Sequence, residues 1–273
     1  MADGHSEGPN AFGSLRADGA YPAVALRGLR KWFGGVAAVD DLDLEVPAGS
    51  FFGLVGPNGA GKTTTLRMAT GLLRPDAGSV QVEGVDVWAD PVQARRRIGV
   101  LPEDLELFDR LTGRQLLTYT GLLRGMEPSV VAERTEELLS VLGLQAAGGT
   151  LVVDYSHGMR KKVALAAAVL HGPRILFLDE PFEAIDPMSA RTLRGVLERH
   201  TSQGGTVVFS SHVMELVERL CNRVAVIDRG RLVAAGPLDD VRGDGSLEDA
   251  FVRLVGGGER TQEGLGWLGS SSG

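Results

Sequence analysis

Apolar residues recur along this chain at different spacings, and those spacings divide it. Between Ala23 and Val46, AVALRGLRKWF and DLDLEV alternate apolar with polar residues, the period of strands that keep one polar face in an antiparallel sheet. VQVEGVDV at 80–87 predicts a further strand pair turning at Gly84. Apolar runs at 51–55 (FFGLV), 98–102 (IGVLP), 175–178 (ILFL) and 205–211 (GTVVFSS) predict buried strands, and RVAVIDRG with RLVAAG predicts a pair joined at Gly230. Helical spacing appears over 112–142, broken at Gly125 and Pro128. It returns in the alanine-rich YSHGMRKKVALAAAVLHG, where Ser156 can cap the helix. Further helices are predicted from Pro187 to His200, over VMELVERLC, and over SLEDAFVRLVG at 246–256.

Strands that alternate with helices build a parallel α/β core. The expected organisation is therefore α/β, with an antiparallel β subdomain and a helical insert over about 104–158, all within a domain spanning 23–256. Residues 1–22 and 257–273, rich in small and polar residues without periodicity, are expected to be flexible tails.

Composition narrows the function. With 43% hydrophobic residues in 273, the chain can bury a large core. A formal charge of −7 argues against a general nucleic-acid binder, so no nucleic-acid partner is expected. The single cysteine, Cys221, cannot close an intrachain disulfide, which suits a reducing compartment. No stretch approaches the ~18 apolar residues of a spanning helix.

The candidate chemistry lies between the first buried strand and the helix after it. There Gly56, Pro57, Asn58, Gly59, Ala60, Gly61, Lys62, Thr63 and Thr64 match the phosphate-binding pattern G-x-x-x-x-G-K-[ST]. Its glycines permit a nest of inward-pointing N–H groups, and Lys62 adds a cation for the β- and γ-phosphates. Thr63 can offer a hydroxyl to Mg²⁺, Thr64 is placed for the α-phosphate, and the helix N-terminus adds partial positive charge. ILFLDE ends in Asp179 and Glu180, at the strand end where ligands gather in open α/β sheets. Asp179 is expected in the Mg²⁺ shell and Glu180 as the base for an attacking water, a role worth about 10²–10⁴ in rate.

GPNGAGKTT, IGVLPE, YSHGM, LFLDEP, IDP and SSH occur in the order seen in the ATP-binding subunits of ABC transporters, which the chain resembles over roughly 24–256. The resemblance implies a P-loop NTPase core, binding of ATP with Mg²⁺, and a head-to-tail dimer with itself or a paralogous subunit. In such a dimer Ser156, His157 and Gly158 face the γ-phosphate held by the opposite subunit. It further implies that Phe33 stacks on adenine, Asp186 bridges the subunits, and His212 contacts the γ-phosphate and catalytic water. A cytoplasmic ATPase is implied, peripheral on the inner face of the membrane through a separate integral-membrane permease, most plainly an exporter. The alternatives left open are a soluble non-transport ABC ATPase and an ATP-dependent regulatory dimer with little turnover. Three stretches depart from the family pattern: Glu103 stands for glutamine, Tyr155-Ser156-His157-Gly158 for Leu-Ser-Gly-Gly, and Phe182 for threonine. Glu103 is thus expected near both Mg²⁺ and water. EDLELFDRLTG at 103–113 is expected to receive a helix of the permease, with Glu106 and Asp109 favouring a basic partner.

Overall fold

The computed structural model describes residues 21–256, so the expected tails, 1–22 and 257–273, lie outside the described residues except for Tyr21 and Pro22. The packed chain starts slightly before Ala23: Pro22 is buried, and the Tyr21 ring lies against Gly84.

The alternating segments form β1 (Val24–Phe33) and β2 (Val36–Val46), which pair antiparallel through the Gly34-Gly35 turn. With β4 (Ala77–Val82) and β5 (Val85–Asp86) they make a four-stranded sheet in the order β2-β1-β4-β5. The continuous apolar runs become β3 (Phe51–Val55), β6 (Ile98–Leu101), β7 (Ile175–Leu178), β8 (Thr206–Ser211) and β9 (Arg223–Asp228). These five are mutually parallel, and β10 (Arg231–Pro237) adds antiparallel at one edge, giving the order β10-β9-β3-β8-β7-β6.

Both faces of this second sheet are covered, which is why its strands are apolar throughout rather than alternating. On one face Phe52, Leu54, Phe177 and Ile227 pack against Leu26, Leu29, Val39 and Leu42 of the first sheet and Leu66 and Met68 of α1 (Lys62–Ala69). On the other, Phe51, Val55, Leu178 and Phe209 meet helices α6 (Pro187–Ser202), α7 (Met214–Leu220) and α9 (Leu247–Val255), through Leu193, Leu197, Val217 and Leu247. Each such buried side chain contributes about 1.5–3 kcal/mol relative to exposure.

The helical insert has its own core. Leu116 and Leu117 of α3 (Gly113–Leu123) and Leu139 of α4 (Pro128–Val141) close on Val163 and Ala166 of α5 (His157–Val169). Because α5 packs on both the insert and β6, the expected boundary at 158 falls inside a helix that belongs to both. Two short helices were not expected. In α2 (Pro91–Arg97) only Ala94 is buried, so no apolar stripe betrays it, although Asp90 caps it and Pro91 starts it. The other, α8 (Leu238–Arg242), has a single buried residue, Leu238.

The strand order matters for function. Because β8 lies between β3 and β7 and all three run parallel, the loop after β3, the two carboxylates after β7 and the Ser210–His212 run at the end of β8 meet at the carboxyl ends of these central strands.

Candidate active site

The loop after β3 is shaped as much by its own protein as by any ligand. A Cβ at Gly56 would fall 2.2 Å from Ile227 O, and one at Gly61, whose φ is 102°, 2.4 Å from Ala38 O. Those two glycines are therefore demanded by neighbouring backbone, whereas Gly59, at φ 79°, faces open space. Lys62 follows and is buried. Its Nζ donates to Gly56 O at 2.8 Å and Pro57 O at 3.3 Å, and lies 3.8 Å from Glu180 Oε1.

Asp179 and Glu180 are both buried at the end of β7. Asp179 Oδ1 accepts the Ser210 hydroxyl at 2.6 Å and lies 3.2 Å from Thr63 Oγ1. Burial raises the Asp179 pKa, hydrogen bonds from Ser210 and Thr63 oppose that rise, and the neighbouring Glu180 adds to it. Glu180 Oε1 lies 3.1 Å from His212 Nδ1, so a proton on Nδ1 would be donated to the carboxylate. The Glu180 backbone is strained: φ is 45°, a left-handed value that costs a residue with a Cβ about 1–2 kcal/mol.

Glu103 reaches the same place from the end of β6, with Oε2 3.3 Å from Thr63 Oγ1. One hydroxyl proton cannot serve both Asp179 and Glu103, so three oxygens converge with one hydrogen between them. That donor set suits a hard divalent cation. Among the described residues no group of three or more His, Cys, Asp or Glu could hold a metal by itself, so phosphate and water oxygens would have to complete such a shell.

A cleft of about 360 Å³ is lined by Phe33, Asn58, Gly59, Ala60, Gly61, Lys62, Thr63, Thr64, Glu103 and Glu180. Phe33 is half exposed there at the end of β1, with Lys31 Nζ 5.7 Å from its ring centre. Ser156, His157, Gly158 and Asp186 do not line this cleft. They form a second group: Ser156 caps α5 by accepting Met159 N–H at 3.3 Å, and Asp186 caps α6 by accepting Ser189 N–H at 2.9 Å. The Ser189 contacts lower the Asp186 pKa. A Cβ at Gly158 would lie 2.9 Å from Ser189 Oγ and 3.0 Å from Asp186 Oδ2, so glycine lets the two helix starts touch.

The departures at 155 and 182 are packing solutions. Tyr155 is buried in the insert, its hydroxyl donating to Ala147 O at 2.7 Å. Gly113 makes room, since a Cβ there would stand 2.2 Å from that hydroxyl. Phe182 sets its ring edge-on to Phe209 at 6.0 Å. The segment after Glu103 differs from expectation in one respect. Asp109 is not free for a basic partner, because Arg160 Nη1 already pairs with it at 2.7 Å, and Leu105 and Leu107 pack inward. Phe108, 58% exposed, is the apolar side chain left outward, edge-on to the exposed Tyr119 at 5.4 Å.

Sequence reading missed Ser210 and Lys161. Ser210 accepts Glu180 N–H at 2.8 Å while donating to Asp179, and Lys161 Nζ donates to Glu180 O at 2.8 Å. The only signal for Ser210 was its place two residues before His212. For Lys161 there was none, since it lies in a run of three basic residues.

Known proteins resemble this chain in sequence and in fold. The ABC transporter family matches residues 39–183. The chain is 40% identical over 232 residues to the daunorubicin/doxorubicin resistance ATP-binding protein DrrA of Streptomyces peucetius, covering 85% of this chain and 70% of that one. It is 40% identical over 213 residues to the Nod factor export ATP-binding protein I of Cupriavidus metallidurans, covering 78% and 70%. A solved structure of an ATP-binding subunit of an ABC transporter superposes with a TM-score of 0.80 at 27% identity, over 85% of this chain and 99% of that one. With its phosphate loop, paired carboxylates and two-sheet architecture in place, the chain belongs to the ABC transporter family, as an ATP-binding, ATP-hydrolysing subunit.

Proposed function

We propose that this chain works as a head-to-tail dimer, with itself or a paralogous subunit, hydrolysing ATP with Mg²⁺ to drive a separate integral-membrane permease in the direction of export. The supporting observation is that Lys62 and Glu180 line one cleft 3.8 Å apart, with His212 beside it and 3.1 Å from the same Glu180 oxygen, while Ser156, His157, Gly158 and Asp186 stand outside the cleft with no contact to that carboxylate. A second group with helix N-termini and no role in its own cleft is what a partner's nucleotide would use. Relatives named for drug resistance and for Nod factor export support an exporter, and their names as ATP-binding proteins support a permease on another chain. Among the described residues no helix is long and apolar enough to cross a membrane. With such a permease the chain would sit on the cytoplasmic face.

In this reading Phe33 supplies a face for adenine, of order 1–3 kcal/mol. Backbone N–H groups of Gly59 to Thr64 and the Lys62 ammonium hold the phosphates. Thr63, Asp179 and Glu103 would hold Mg²⁺, which when bound offsets the charge of the phosphate oxygens. Glu180 takes the proton of the attacking water, and His212 orients that carboxylate through Nδ1.

Glu180→Gln keeps size and hydrogen bonding but removes the base. It should lower kcat by about 10²–10⁴ while preserving ATP binding, and it should leave an ATP-bound dimer that size-exclusion chromatography detects. Turnover near that of the native protein would refute the assignment.

A further inference from the structure

Lys161 lies in the second turn of α5, is only 4% exposed, and takes no part in the roles assigned above. A buried ammonium needs acceptors to replace its water, and this one has two: Glu180 O at 2.8 Å and Glu183 O at 2.7 Å. Both are main-chain carbonyls of the turn that follows β7. The Glu180 carbonyl also accepts Glu183 N–H at 3.2 Å, and the Glu180 N–H is held by Ser210 Oγ at 2.8 Å. The peptide groups on both sides of the Glu180 Cα are thus pinned, at a residue whose φ of 45° the backbone would not adopt unaided. Released from Lys161, the carbonyl side could relax toward negative φ, and the carboxylate would leave its place beside His212 Nδ1 and Lys62 Nζ.

We propose that Lys161 is a positioning residue for ATP hydrolysis: it holds the strained Glu180 backbone and so aims the Glu180 carboxylate into the cleft. Because α5 also begins with His157 and Gly158, the hydrogen bonds tie the helix that would meet a partner's nucleotide to the base of its own site. This rests on the assignment of Glu180 as base, and the test separates the two. Lys161→Met, which keeps length and removes the donors, should lower kcat by at least about tenfold with the ATP KM unchanged, as misplacement of a reacting group predicts. Equilibrium binding of a fluorescent ATP analogue should stay within about threefold of the native protein. Lys161→Arg can still donate to both carbonyls, from a longer stem, and should fall between the two. In a Glu180→Gln background, single-turnover cleavage should show less than about a twofold further loss on adding Lys161→Met, because the residue acts through the missing carboxylate.

Native kcat in Lys161→Met would overturn the proposal. So would a parallel loss of ATP affinity, or an equal loss in both backgrounds. Should Lys161→Met fail to fold, Lys161→Arg decides, with kcat severalfold lower at unchanged KM expected and native kcat overturning. If Glu180→Gln alone turns over normally with Lys161 intact, the base assignment has failed instead.

Discussion

A carboxylate at 103, where the family pattern carries an amide, changes the electrostatics of a site that already holds Asp179 and Glu180. Its oxygen and that of Asp179 share one threonine hydroxyl, at 3.3 and 3.2 Å, and burial already raises the Asp179 pKa. A divalent cation would relieve both the crowding of the two carboxylate oxygens and the burial that disfavours the Asp179 anion. Glu103→Gln should therefore raise the Mg²⁺ concentration for half-maximal ATPase and for half-maximal binding of ATP, while keeping appreciable turnover. Glu103→Ala should shift both further. The two titrations check this together, and identical half-saturation in native and mutant proteins would remove Glu103 from the metal shell.

Among the elements, α5 joins more of the molecule than any prediction from its alanine-rich pattern would suggest. Its start carries Ser156, His157 and Gly158 of the second group, and its second turn Lys161; just past its end His171 sits between β6 and α3, with Nε2 3.0 Å from Ile98 O and 3.0 Å from Arg124 Nη1. Burial, followed by the positive charge of Arg124, lowers the His171 pKa from 6.5 to about 4. The unfolded chain thus binds the proton more readily between those values, and stability falls as pH drops from 6.5 toward 4. Allowing for solvent screening of a partly exposed ring, the loss is roughly 1–2 kcal/mol at the acid end. Thermal unfolding measured from pH 7.5 down to 4.5 should show this decline in the native protein and a shallower one in His171→Gln. Equal slopes would mean that other groups carry the acid sensitivity.

At the scale of the whole molecule, the segment after Glu103 is anchored inward by Leu105 and Leu107, while Phe108 and Tyr119 face out. With Asp109 already paired to Arg160, a permease helix would meet an aromatic surface with Glu106 at its margin, not the two free carboxylates the sequence suggests. Cysteines at 108 and 119 should crosslink efficiently to the permease, and a cysteine at Gln203, beyond the end of α6, should not. Crosslinks from 203 alone would place the permease elsewhere.

Local order in the sequence was sufficient for the two sheets, the insert and the phosphate loop. Period-two alternation, unbroken apolar runs and helical spacing each report which faces of an element are buried, and burial dominates folding. Among the cleft-lining residues, Asn58 to Thr64 and Glu180 were legible for a related reason, since phosphate chemistry demands particular residue types at short spacings, whereas Phe33 and Glu103 were singled out only by the family resemblance. Short helices such as α2, with one buried residue, send no such signal. What only the tertiary structure decided are contacts between residues far apart in the chain. Ser210 bridges Asp179 and the Glu180 N–H across neighbouring strands; Lys161 reaches the Glu180 turn from another helix; Gly113 vacates space for the Tyr155 hydroxyl; Arg160 neutralises Asp109. None of these follows from periodicity, because a hydrogen bond depends on where two backbones pass one another, and that is set by strand order and helix packing.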